Sequence, residues 1–207
     1  MINKRKFDLV IFDMDGVILR SDLLYYEIAK KINSEIDQVK LSTSISQGGK
    51  ILFESIFGKD YTEQNVSWFR KMQVKKFNQN HHLYDDIVNI IMNVSKTYKL
   101  AIVSNKPITC IEGILRQINI YDLFDVVIGR DSGLAIKPEP DGINHVVQSI
   151  GVDKRRVVYL GDSISDYRAC EKAEITFAHC RYGFDASTVK CDYVLYETNQ
   201  IESILEI

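Results

Sequence analysis

The sequence predicts an α/β fold: a doubly wound parallel sheet with an all-helical segment inserted after its first strand. Three observations carry this prediction. Short, β-branched, nearly all-apolar segments recur along the chain, as strands covered on both faces require. Between them lie stretches with apolar residues three or four apart, the period of a helix with one buried face. One region, 17–84, breaks that alternation and holds only helical patterns.

The first strand is expected over 7–12, with further strands at 100–104, 125–128 and 157–160. Helices separate them, read from Ile87, Ile90, Ile91 and Val94, then Ile108, Ile111, Leu115 and Ile118, then Ile143, Val146, Val147 and Ile150. Alternating strands and helices make an α/β sheet. Two more strands, at 175–179 and 192–195, bring the sheet to five or six, and a helix over 200–207 closes the chain. Within the inserted region helices are expected near 22–32, 50–57 and 62–77. The α/β core is therefore expected over 1–16 and 85–207, with 17–84 as a lid at one edge of the sheet.

With 207 residues and 45% hydrophobic content, the chain can bury one core and a small accessory unit. The 26 basic residues against 28 acidic ones leave no electrostatic footprint for nucleic acid or an anionic membrane. A small anionic metabolite is not excluded as a partner. The basic start is followed by a short apolar stretch interrupted at Asp8 and Asp13, which fails as a signal peptide. No apolar run reaches membrane-spanning length, and Cys110, Cys170, Cys180 and Cys191 have no metal-binding spacing, so a reduced, cytoplasmic protein is expected.

Four polar motifs follow four apolar strands. Asp13-Met14-Asp15-Gly16-Val17 places two carboxylates in one loop, with Gly16 able to turn sharply beside a ligand. Ser104-Asn105-Lys106-Pro107 opens a helix whose free N–H groups suit a phosphate, although taken alone the motif reads first as helix capping by Ser104 or Asn105, which needs no ligand. Lys137-Pro138-Glu139-Pro140 fixes one lysine in a loop. Gly161-Asp162-Ser163-Ile164-Ser165-Asp166 puts two aspartates on one side of a starting helix, a geometry suited to a divalent cation. Ser163 and Asp166 also read as a capping box, which leaves Asp162 unexplained. In a parallel sheet all four motifs share the edge where ligands bind.

In order and residue type these motifs resemble the haloacid dehalogenase superfamily. The Asp15-Gly16-Val17 start, the Ser104 to Pro107 and Lys137 to Pro140 sequences and the helical insert look like its phosphoglycolate and phosphosugar phosphatases. The resemblance implies that Asp13 attacks phosphorus and that Asp15 protonates the leaving oxygen and later activates water. It also implies that Ser104, Asn105 and Lys137 hold the phosphate. Asp13, the Asp15 backbone carbonyl and Asp162 would bind Mg2+, supported by Asp166.

Charge counting agrees. A phosphate dianion approaching Asp13 beside Asp162 and Asp166 makes a site about five charges negative, each like pair at 4 Å costing on the order of 4 kcal/mol at an effective dielectric of 20. Cations are required there, and an oxygen-only ligand set suits magnesium.

Dehalogenases of the superfamily lack the second aspartate, here Asp15. Related mutases resemble the sequence more closely, but Tyr25 stands where they often carry a cap histidine. A non-catalytic phosphate-binding or regulatory protein on the same fold is the other alternative. For substrate choice the candidates are the loop 43–50, with Gly48, Gly49 and Lys50, and Arg20 at the entry to the insert. Lys50 reads first as a solvated lysine, and Arg20 first as a surface partner of Asp22 or Glu27. Trp68, Phe69 and Met72 are expected in the core of the insert, His81 and His82 on its surface, and His179 packed in a strand.

Overall fold

The computed structural model describes residues 5–47, 49–185 and 188–207. Strand β1 (Leu9–Phe12) is followed by helices α1 (Ser21–Ala29), α2 (Gln38–Gln47), α3 (Gly49–Phe57), α4 (Glu63–Lys76) and α5 (Gln79–His82). The alternation then resumes with α6 (Ile87–Val94), β2 (Lys99–Val103), α7 (Ile108–Leu115), β3 (Val126–Ile128) and α8 (Asp141–Ile150). It ends with β4 (Val157–Gly161), α9 (Ile164–Ala173), β5 (Thr176–Cys180), β6 (Tyr193–Leu195) and α10 (Gln200–Leu205).

The six strands form one parallel sheet in the order β3-β2-β1-β4-β5-β6. Successive β1 side chains alternate between the two faces. Val10 and Phe12 pack in the layer that holds α6, α7 and α10, while Leu9 and Ile11 pack in the layer of α8 and α9. All four are fully buried, which explains why the strand carries no polar alternation. The strand order reverses direction beside β1, between β1 and β4. That switch point opens a crevice at the carboxyl ends of the strands, where α/β sheets bind ligands.

The five inserted helices leave and rejoin the sheet through adjacent linkers. Leu19 and Leu83 form an antiparallel bridge, the Arg20 N–H donates to the His82 carbonyl, and the Tyr84 N–H donates to the Ile18 carbonyl. Phe69 centres the insert, meeting Tyr25, Phe53 and Phe57 edge to face at 5.4, 5.7 and 6.2 Å. No described helix is long and apolar enough to cross a membrane.

Several expectations for the insert need correction. Much of 43–50 is helix rather than loop: α2 runs to Gln47 and α3 begins at Gly49, with Gly48 outside the described residues. Helix α2 carries little apolar periodicity, because hydroxyl residues occupy much of it. Here Ser42, Thr43 and Ser44 donate back to the carbonyls of Gln38, Val39 and Lys40, so the helix keeps its backbone bonds while Leu41 is buried. In α4 the buried positions are Val66, Phe69 and Gln73, three and four apart, which leaves Trp68 off the stripe and 44% exposed. His82 is buried rather than on the surface, its Nδ1 accepting from the Asn78 N–H and its Nε2 lying 3.3 Å from Glu27. His179 is buried, as expected.

Candidate active site

The carboxyl ends of β1, β2 and β4 and the loop after β3 bring the four motifs together. Asp13 follows β1 directly and is tied to β4 by its N–H, which donates to the Leu160 carbonyl at 2.9 Å. Its side chain is almost wholly buried. The chain then turns at Gly16, whose φ of 82° lies in the left-handed region. A Cβ at Gly16 would stand 1.9 Å from Asp162 Oδ2, so the glycine is what lets the first and fourth motifs touch.

Lys137 is the buried hub of the site. Its Nζ lies 2.9 Å from Asp13 Oδ1 and 2.5 Å from Asp166 Oδ1, and donates to the Tyr159 hydroxyl at 2.8 Å. The Tyr159 hydroxyl in turn donates to the Val103 carbonyl, which links β4 to β2 beneath the site. Asp166 also completes the capping box of α9, accepting from the Ser163 N–H and hydroxyl while Ser163 accepts from the Asp166 N–H. One carboxylate thus starts the helix and anchors the lysine.

Asn105 borders the small cavity at Asp13 and also holds the lysine loop. Its amide donates to the Lys137 carbonyl at 2.9 Å and accepts from the Lys137 N–H at 3.0 Å. Ser104 is buried, its hydroxyl accepting from the Lys106 N–H, and it borders a small cavity with Asp13, Asp15, Lys137 and Asp162. Asp162 is held from outside, where its Oδ2 accepts from the Asp185 N–H at 3.2 Å and its carbonyl lies 3.2 Å from His179 Nε2.

Lys106 is the group the sequence did not single out. It is buried, and its Nζ lies 2.9 Å from Asp15 Oδ1 while donating to the Tyr25 hydroxyl at 2.6 Å and to Gln73 Oε1 at 3.1 Å. Tyr25 belongs to α1 and Gln73 to α4, so this lysine joins the inserted helices to the first motif. Burial alone would lower its pKa, but the Asp15 carboxylate and the Tyr25 oxygen hold it above the ordinary lysine value. Neither Arg20 nor Lys50 borders the small cavity at Asp13. The Arg20 guanidinium sits 5.9 Å from the Tyr84 ring centre, and the exposed Lys50 pairs with Glu54 at 3.4 Å.

Ligand oxygens of Asp13, Asp162 and Asp166 lie within 4.8 Å of one another. Burial pushes the Asp13 carboxyl up from 3.8 to about 7, with Asp166 and Asp15 adding to the rise and Lys137 opposing it. Asp162 is pushed well above the carboxylate range by burial and by Asp166 and Asp13. Fully ionised, the three carboxylates would carry more negative charge than Lys137 offsets, which is why protons are held so tightly here. A buried, oxygen-only donor set with that deficit fits a hard divalent cation.

The family model for haloacid dehalogenase-like hydrolases matches residues 10–180. A phosphoglycolate phosphatase from Pasteurella multocida is 26% identical over 225 residues, covering 97% of this chain and 99% of that one. An N-acetylmuramic acid 6-phosphate phosphatase from Pseudomonas aeruginosa is 22% identical over 193 residues, covering 88% and 85%. The crystal structure described as a predicted phosphoglycolate phosphatase from Haemophilus somnus superposes with a TM-score of 0.81 at 22% identity, covering 96% of this chain and 98% of that one. The matched span reaches from β1 to the last residue of β5 and includes all four motifs, so the chain belongs to the haloacid dehalogenase-like hydrolases.

Proposed function

We propose that the protein is a magnesium-dependent phosphatase that hydrolyses a small phosphomonoester through an aspartyl phosphate on Asp13. Residues 17–84 form the cap, over a core of 1–16 and 85–207. One observation carries this reading: Asp13 is a buried carboxylate bordering a cavity of about 70 Å³ at the sheet's switch point, flanked by Asp15, Ser104, Lys137 and Asp162. At ~30 Å³ per water that space holds about two waters, the scale of one phosphoryl group.

In the first step an Asp13 carboxylate oxygen attacks phosphorus, the bond to the leaving oxygen breaks, and Asp15 supplies the proton which that oxygen needs. In the second step Asp15, now a carboxylate, takes a proton from water, and the water oxygen displaces Asp13 from phosphorus. Lys137 and Ser104 hold phosphate oxygens throughout, with Asn105 fixing the backbone of Lys137 and Asp166 its ammonium. Asp13, Asp162 and the Asp15 carbonyl, with Asp166 behind them, would hold magnesium, which when bound would supply neutralisation of charge on the transferring group. Tyr25 is no substitute for a mutase base, because burial raises its pKa and Lys106 engages its hydroxyl.

Phosphate release from a panel of small phosphomonoesters, with magnesium and with chelator, tests the reading. Turnover that appears only with magnesium is expected. Equal rates in chelator, or no release from any ester, would overturn it.

A pH effect follows from the raised carboxylates. Ionised Asp13 and Asp162 bind the cation, and protons compete for both, so magnesium affinity strengthens as pH rises through about 7. Magnesium should therefore raise the melting temperature more at pH 8 than at pH 5, by about 2 kcal/mol or more of added stability at a hundredfold excess over Kd. A pH-independent increment would count against the assignment of these ligands.

A further inference from the structure

A second cavity, of about 250 Å³, opens beside the one at Asp13, and the two share Asp15, Ile45, Asn105, Lys137 and Ser165. A phosphoryl group against Asp13 would point its leaving group into this larger space. Apolar side chains line much of it, including Leu52, Phe53 and Ile136. Arg70 from α4 and Arg130 from the loop after β3 also line it.

The cations around the site differ in one respect. Lys137 is neutralised by Asp13 and Asp166, and Lys106 by Asp15. Neither Arg70 nor Arg130 lies within ion-pair distance of a carboxylate among the described residues. Arg70 instead lies 5.6 Å from the Phe53 ring centre, and Arg130 is tied by its N–H to the Lys106 carbonyl. Both residues are half-buried, so two arginines without an ion-pair partner among the described residues line a cavity whose one carboxylate, Asp15, is engaged by Lys106. Guanidinium groups are forks that match a carboxylate or phosphate with two parallel hydrogen bonds.

We infer that the substrate carries a second anionic group at the far end of its leaving group, held by Arg70 and Arg130. This rests on the phosphatase reading above for its orientation. One arginine belongs to an inserted helix and the other to the core loop after β3, so an anion bound to both ties the cap to the core while the phosphoryl group sits at Asp13. A substrate lacking that anion loses the tie. At ~30 Å³ per water the cavity has the volume of about eight waters, which suits a leaving group of a few carbons ending in the anion.

The test uses three alkyl phosphates of equal length, ending in a carboxylate, in a second phosphate and in an uncharged alcohol. Wild type should favour the better of the two charged esters over the alcohol by about ten- to a hundredfold in kcat/KM, carried by KM, as expected for charge-assisted hydrogen bonds. Arg70→Gln and Arg130→Gln should each bring that ratio towards one, with Arg70→Lys keeping part of it. Which charged ester wins identifies the anion. Calorimetric binding of the same esters to Asp13→Asn reads the subsite whether or not turnover occurs. If no ester is hydrolysed but the charged one binds tighter in an Arg70- and Arg130-dependent way, the subsite stands and the phosphatase reading falls. A ratio near one in wild type, in turnover and in binding, overturns the inference, as does a ratio that survives both glutamine variants.

Discussion

Asp13→Asn is expected to lower phosphate release by about a thousandfold or more, equivalent to about 4 kcal/mol of barrier, while raising the melting temperature of the metal-free protein. The first effect follows from chemistry, because the amide has no charge with which to attack phosphorus. The second follows from linkage. The Asp13 carboxyl is raised from 3.8 to about 7 on folding, so its favourable share of stability is present at acid pH and is lost as pH rises through about 7. Above that value the folded state holds a buried carboxylate that burial disfavours, and asparagine removes the charge. Lys137 keeps Asp166 and Tyr159 as partners, and the amide carbonyl remains an acceptor. At pH 8 in chelator the gain should be at most about 4 kcal/mol, given 1.36 kcal/mol per pKa unit, and it should vanish near pH 4. Thermal melts at both pH values, beside phosphate release, separate lost chemistry from lost fold. A variant that still hydrolyses ester, or that melts lower than wild type at pH 8, contradicts the account.

The sheet was legible because its strands are covered on both faces. Leu9 to Phe12, Leu100 to Val103 and Val157 to Leu160 are apolar without interruption, and each ends on the polar motif that the parallel topology carries to one edge. Asp13, Asp15, Ser104, Lys137, Asp162 and Asp166 meet there because each motif directly follows its strand or lies in the loop beyond it. What sequence could not give was the partner of each polar side chain. Asn105 has the composition of a phosphate ligand, yet its amide matches the Lys137 peptide in both directions. Helix α2 lacks apolar periodicity because hydroxyl residues back-bonded to its own carbonyls occupy much of it. Lys106 stood inside the second motif, but nothing in the sequence pointed to its partners. A lysine in a polar loop ordinarily faces water, and the two residues that bury it, Tyr25 and Gln73, lie far away in sequence on separate helices.

Lys106→Met should cost both stability and rate, and the pattern of the losses identifies what the lysine does. Methionine keeps the apolar stem and removes the ammonium, leaving Asp15, Gln73 and the Tyr25 hydroxyl without the donor or charge that now satisfies them. Removing one partner of a buried ion pair typically costs about 3–5 kcal/mol, read here as a lower urea midpoint with magnesium held constant. The effect on rate passes through Asp15. Its carboxylate is 20% exposed and is held in place by Lys106 at 2.9 Å, so without the lysine it samples orientations that do not face the leaving oxygen. A loss of about ten- to a hundredfold in kcat is expected from such misplacement, with KM changing less. Asp15→Asn provides the decisive comparison, because a residue that acts by positioning Asp15 has nothing left to position in that background. The double variant Lys106→Met with Asp15→Asn should then be no slower than Asp15→Asn alone, a coupling as large as the single effect of Lys106→Met. Additive losses would show that Lys106 acts on the substrate directly and would remove the reason for linking cap helices α1 and α4 to the acid and base of the reaction.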